Sequence, residues 1–162
     1  MESQKKHPPD RDAATGLPSR DIFHDRLTQA LVLAKRNAQS LAVLFLSFDS
    51  LKLINDKMGQ RFGDQLIKAV AERIMGALRK SDTTARPGSN EFMVLLPQIP
   101  RGEYASRVAD KIFAALSSTL VLEQHEIFIN ASIGASLYPH DTADPAALIK
   151  CSYTAMNRAR EE

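Results

Sequence analysis

The order of elements in the chain predicts an α+β fold, an α/β sandwich built on a ferredoxin-like β-α-β-β-α-β core with one extra helix in front. Two contrasting apolar patterns and one turn carry that prediction. Leu41 to Phe48 (LAVLFLSF) is a short apolar run free of breakers, as a central strand buried on both faces requires. From Phe62 to Leu78 the apolar residues fall three and four apart, as a helix with one buried face requires. Between later elements, Asp82 to Pro97 (DTTARPGSNEFMVLLP) places two β-prone runs around a Pro-Gly-Ser-Asn turn, which reads as a β-hairpin.

Taken in order, residues 1–12 are rich in Lys, His, Pro and Asp, more like a linker or an expression remnant than core, and residues 13–162 form a single domain. Thr15-Gly16-Leu17-Pro18 makes a turn. Ser19 then caps a helix from Arg20 to about Arg36, with Ile22, Phe23, Leu27, Ala30, Leu31 and Ala34 on one face. The buried strand ends at Asp49. A short helix over Ser50 to Met58 follows, and after Gly59 a longer one carries Phe62, Leu66, Ile67, Val70, Ile74 and Leu78 inward. In the hairpin, Thr83 to Arg86 pairs with Phe92 to Leu96, and Pro97 to Gly102 reads as a polar break. A helix to about Leu120 has Ala105, Val108, Ile112, Ala115 and Leu116 inward. Glu123 and Gln124 mark a turn, and a long alternating strand runs from Ile127 to Leu137, stopping at Pro139. Asp144-Pro145 starts a last helix to Arg160.

Composition narrows the function classes. With 162 residues and 44% hydrophobic content the chain buries a core without a metal or disulfide staple. The single cysteine, Cys151, has no internal partner, which fits a reducing cytoplasmic compartment, with any membrane anchor of a longer protein lying elsewhere. A net charge of +2, with cations dispersed among anions and no basic stripe, argues against nucleic acid as a partner. The longest apolar run, Leu41 to Leu46, is too short to cross a bilayer, so no membrane contact is expected of this segment.

In the ferredoxin-like order the first strand lies antiparallel beside the second hairpin strand, so Ser47, Phe48 and Asp49 face Asn90 and Glu91 across one edge of the sheet. Strand alternation puts Ser47 and Asp49 on the same side. A pair there, joined to an acidic tip, would chelate a hard cation, and only half of that acid is present. A carboxylate at a glycine-containing turn suits phosphate or metal chemistry, and the plain alternative is an ordinary polar turn.

Several stretches in the same order carry a resemblance covering almost the whole chain. They are DAATGLPSR at Asp12, LFLSFDSLKLIND at Leu44, GQRFGDQLIKAVAERI at Gly59, the hairpin itself, NASIGASLYP at Asn130 and AMNRAR at Ala155. The sequence resembles a GGDEF domain of the diguanylate cyclase family, a degenerate member whose signature reads Gly88-Ser89-Asn90-Glu91-Phe92. The resemblance implies a nucleotidyl-cyclase type of sheet, antiparallel-rich and flanked by helices. Active members condense two GTP molecules into cyclic di-GMP across an antiparallel pair of domains, using two metal ions. It also implies neighbouring sensor and EAL phosphodiesterase domains, a homodimer, and Mg²⁺ only if the domain is catalytic.

The resemblance assigns roles to single residues, and the departures weigh as much as the matches. Ser47 and Asn90 stand at the two side-chain metal-ligand positions, so neutral oxygens replace two anions. Glu91 survives as the catalytic acid of the signature, insufficient alone, and Asp49 is the nearest substitute ligand. Ser89 brings a Cβ to the place where the family's backbone meets phosphate, and Pro87 precedes Gly88. Asn55 and Asp64 match the guanine-reading positions, or else cap the helix start near Gly59. Lys52 and Arg160 match phosphate-facing positions. Arg79 and Asp82 match the Arg-x-x-Asp inhibitory site for cyclic di-GMP, or else simply end a helix. Three functions stay open: a non-catalytic regulatory module binding cyclic di-GMP or GTP, a working cyclase, and a ligand-free coupling domain beside an EAL phosphodiesterase.

Overall fold

The computed structural model describes residues 11–161. Helix α1 (Arg20–Arg36) leads into β1 (Ser40–Phe48), then α2 (Leu51–Met58), α3 (Gln60–Gly76), β2 (Thr83–Ala85) and β3 (Glu91–Ile99). Helix α4 (Gly102–Ser117), β4 (Leu120–Leu122), β5 (His125–Ile127), β6 (Ala131–Tyr138) and α5 (Pro145–Glu161) complete the chain. The main sheet has the order β2-β3-β1-β6 with every neighbour antiparallel, which is the α+β, ferredoxin-like sheet that the element order predicts.

Alternation along β1 divides the interior into two layers. Ala42, Leu44, Leu46 and Phe48 point into a core with Leu66, Val70 and Ile74 of α3 and Ile112 of α4. Leu41, Val43 and Phe45 point the other way, into a core with Phe23, Leu27 and Leu31 of α1 and Leu148 and Met156 of α5. Every residue from Leu41 to Phe48 is buried, so the breaker-free run is explained by burial on both faces. Each fully buried Leu or Phe here contributes about 1.5–3 kcal/mol of transfer free energy.

The helix ends follow local chemistry. The Ser19 hydroxyl accepts from the Ile22 N–H at 3.4 Å, and the Asp144 carboxylate accepts from the Ala147 N–H at 2.9 Å. Helix α5 lies directly on β6: a Cβ on Gly134 would run into the backbone of Ser152, Ala155 and Met156. Glycine is required there for close approach.

Helix α3 stops at Gly76, so Leu78 lies beyond it, and three further boundaries differ from the sequence expectation. Strand β3 continues through Pro97 to Ile99, because Pro97 and Gln98 form a bulge opposite Leu41, with Gln98 at φ 54°, where a missing ladder N–H is tolerated. Helix α4 stops at Ser117, and Leu120–Leu122 becomes a strand; the Arg73 guanidinium donates to the carbonyls of Ala115, Ser118 and Thr119 and so takes up the groups that a longer helix would bond internally. The expected long strand from Ile127 begins only at Ala131, and Ile127 instead ends the short strand β5. Strand β5 pairs with β4 through the Glu123-Gln124 turn, both residues at positive φ, and so is drawn off the main sheet, whose ladder with β1 starts at Ala131. Arg11 and Asp12, the end of the expected lead, belong to the turn before α1, and residues 1–10 of that lead lie outside the described residues.

Candidate functional site

The hairpin tip, residues 86–90, is held by contacts distant in sequence. Arg86 makes one of these and adds a local one. Its Nη1 donates to both carboxylate oxygens of Asp12 at 3.1 Å, while Nε and Nη2 donate to the Ser89 carbonyl at 3.2 and 2.7 Å. Asp12 also accepts from the Thr15 hydroxyl at 2.7 Å and the Thr15 N–H at 2.9 Å. Burial works to raise the Asp12 carboxyl, but the Thr15 hydroxyl and then the Arg86 guanidinium outweigh it and hold the group below its ordinary value of 3.8. Sequence reading did not find this pair. Its only trace was an Asp three residues before a Thr in a turn and a lone Arg beside a Pro-Gly break.

At the end of β1, Ser47 is paired in register with Glu91, as the topology predicts. Ser47 is 3% exposed and its hydroxyl donates to the Met156 Sδ at 3.1 Å, so it faces α5. Asp49 lies past the strand end and is exposed, its N–H bonded to the Asn130 carbonyl at 3.2 Å. Strand alternation placed the two side by side, yet only Asp49 reaches solvent. Asn90 is bound to Phe48 twice: its carbonyl accepts from the Phe48 N–H at 3.1 Å, and its Nδ2 donates to the Phe48 carbonyl at 2.7 Å. Glu91 folds its carboxylate over Gly88, where a Cβ would come within 2.5 Å of Oε1.

Two open clefts of about 380 Å³ each flank Asp49. One, between α2 and the tip, gathers Lys52, Asn55, Ser89 and Asn90. The other, at the start of β6, gathers Asp110, Phe113, Asn130, Ser132 and Arg160. Lys52 and Arg160 are therefore in different clefts that share Asp49. The Asn55 Oδ1 is buried without a hydrogen-bond partner, packed where a Cβ on Gly63 would overlap it. Asp64 is exposed on α3, accepts from the Gln60 side chain at 2.9 Å, and lines neither cleft.

At the far end of α3 the charges are intact. The Asp82 carboxylate accepts from the Arg79 N–H at 2.8 Å and from Arg79 Nη2 at 3.0 Å, and its side chain is 1% exposed. Nη2 also donates to the Pro97 carbonyl at 3.1 Å, and the guanidinium lies 4.9 Å from the Tyr104 ring centre. Arg79, 40% exposed, stands between a groove lined by Arg11, Arg26 and Lys80 and one lined by Arg107 and Lys111.

The family model described as "Diguanylate cyclase, GGDEF domain" matches residues 10–162. The chain belongs to the GGDEF-domain family. Diguanylate cyclase TpbB of Pseudomonas aeruginosa is 39% identical to this GGDEF domain over 96% of the chain and 36% of that protein's length. The bifunctional diguanylate cyclase/cyclic di-GMP phosphodiesterase MucR of the same species is 38% identical over 93% of the chain and 22% of its own length. The GGDEF domain thus spans about a third or less of these relatives. The solved GGDEF domain of TpbB superimposes with a TM-score of 0.89 at 39% identity, covering 93% of this chain and 88% of that one. The GGDEF domain of DgcB from Caulobacter crescentus, solved in complex with c-di-GMP, shares the fold at a TM-score of 0.84 and 22% identity, covering 96% and 92%.

The residues of this GGDEF domain do not fit the cation of the family's active members. A hard cation such as Mg²⁺ needs six oxygens in near-octahedral order and is commonly anchored by carboxylates. Here the Ser47 hydroxyl is turned onto a thioether, the Asn90 amide offers a donor to the Phe48 carbonyl, and the Ser89 carbonyl is taken by Arg86. Among the described residues no group of three or more His, Cys, Asp or Glu converges as a metal site.

Proposed function

We propose that this GGDEF domain is a non-catalytic regulatory module of cyclic di-GMP signalling. One observation carries the reading: both positions at which the family places acidic ligands hold neutral groups already committed to internal bonds, Ser47 to Met156 and Asn90 to Phe48. Condensing two triphosphates requires charge neutralisation on the phosphates and an activated nucleophile. Glu91 and Asp49 alone supply no clamp of that kind. Incubation with GTP and Mg²⁺ or Mn²⁺, followed by chromatography, should give no cyclic di-GMP. Product that disappears on Glu91→Gln would overturn the reading.

The ligand of the module, in this reading, is cyclic di-GMP at Arg79. An exposed guanidinium oriented by Asp82 and Tyr104, with Arg26, Lys80, Arg107 and Lys111 on both flanks, supports recognition of a dinucleotide carrying two monoanionic phosphodiesters. Asp82 acts there as the residue that aims Arg79, since its carboxylate is buried under the arginine. GTP is a weaker second ligand, with its base at Asn55 and its phosphates toward Lys52. The unpartnered Asn55 Oδ1 beside that cleft favours a polar edge there. Calorimetric titration with cyclic di-GMP should saturate in the micromolar range, and a flat titration removes the ligand assignment.

A further inference from the structure

We propose that the Asn90 side-chain amide is a built-in substitute for a divalent cation at the signature turn, joining β1 to the hairpin tip without metal. The inference rests on the non-catalytic reading above and adds what holds the turn in place of the lost ion.

The Phe48–Asn90 contact is closed in both directions. The Phe48 N–H donates to the Asn90 carbonyl at 3.1 Å, and the Asn90 Nδ2 donates to the Phe48 carbonyl at 2.7 Å, the shorter of the two. The outward carbonyl of the last β1 residue thus receives a partially positive N–H, the same electrostatic service a bound cation would give that oxygen. A cation approaching Phe48 would have to displace this donor and strand the amide. The next backbone oxygen of the tip is closed in the same manner, since the Ser89 carbonyl accepts two bonds from Arg86. Ser47, on the neighbouring position of β1, is turned onto the thioether of Met156, a soft uncharged atom with no use to a hard cation. Three oxygens at this edge are thus occupied, the Phe48 and Ser89 carbonyls by nitrogen donors and the Ser47 hydroxyl by a thioether, which leaves the carboxylates of Asp49 and Glu91 without a fixed backbone cradle for a cation.

A consequence follows for position 90. Asparagine and aspartate have nearly the same shape, so Asn90→Asp changes charge and donor capacity while keeping bulk. The carboxylate would face the Phe48 carbonyl with Glu91 next in sequence, and repulsion would open the turn unless a cation entered between them. One substitution would convert a metal-independent latch into a metal-dependent one.

The test compares thermal unfolding of the whole chain and of Asn90→Asp in EDTA and in millimolar Mg²⁺ or Mn²⁺, without nucleotide, together with hydrogen exchange at Phe48 and Glu91. The expected result is a wild-type midpoint that the cation does not move. Asn90→Asp should unfold several degrees lower in EDTA, with faster exchange at Phe48, and recover part of the loss with Mn²⁺. Asn90→Ala, which removes the donor and adds no charge, should be destabilised and indifferent to cation; it serves if the aspartate variant does not fold. A cation-induced rise of the wild-type midpoint, or an Asn90→Ala variant as stable as wild type, would overturn the proposal. Turnover of GTP by a chain with a cation-insensitive midpoint would instead overturn the non-catalytic reading and leave the latch standing.

Discussion

The two ends of α3 present opposite chemistry. Near its start, Ser47 at the end of β1 and Asn90 at the hairpin tip are neutral side chains held in internal bonds, to Met156 and Phe48. Just beyond its end, Arg79 and Asp82 form an ion pair, and cations from three other segments line the grooves beside them. A turn that had merely drifted would show loose polar groups with no partners. Here Ser47 and Asn90 each have an internal partner, which in the proposed non-catalytic reading makes the mouth a structural joint and leaves the charged end to an anion.

The sharpest way to break that contrast is to return an acid to the joint. Ser47→Asp would place a carboxylate at a site 3% exposed, against a thioether and with no cation partner. An uncompensated buried charge costs about 3–5 kcal/mol, so urea unfolding should show a loss of that order. A variant as stable as wild type would mean that the mouth still accepts an anion.

A smaller effect is expected where the joint is tethered to the N-terminal turn. Asp12→Asn removes a charged partner from Arg86 and should cost about 1.5–3 kcal/mol at neutral pH. Because the folded carboxyl titrates below its ordinary value of 3.8, its contribution is complete above that value and is lost as pH falls through the lower folded value. The stability gap between wild type and Asp12→Asn should therefore be widest near pH 7 and close below about pH 4. A gap that persists into strong acid would show that the tether is not electrostatic.

The smallest effect on stability belongs to the charged end. Arg79→Ala should abolish cyclic di-GMP binding in calorimetry and cost only about 1–2 kcal/mol of folding free energy, since one N–H of residue 79 still serves Asp82. Retained binding would separate the ligand site from Arg79. A much larger loss of stability would make Arg79 a structural residue like those of the joint.

Much of this was legible in the chain. The breaker-free run of β1, the three-and-four spacing of α3, Ser19 as a cap and the pairing of Ser47 with Glu91 all follow from local rules of periodicity and from strand order, and the structure bears them out. Where reading failed, a long-range partner decided. Arg73 ends α4 by reaching carbonyls more than 40 positions away, and nothing in the α4 sequence itself announces it. The bulge at Pro97 depends on the register with Leu41, so a proline that looked like a break sits inside a strand.

The sequence by itself determined the fold class, the family and the list of charges missing from the signature, because periodicity, turn chemistry and residue identity are properties of short stretches. Only the tertiary structure decided what the neutral replacements do. That Ser47 turns onto Met156, that Asn90 closes on Phe48, and that Arg86 ties the tip to Asp12 are bonds spanning 109, 42 and 74 positions. A directional hydrogen bond depends on where two groups lie in space, and spacing along the chain carries no record of that.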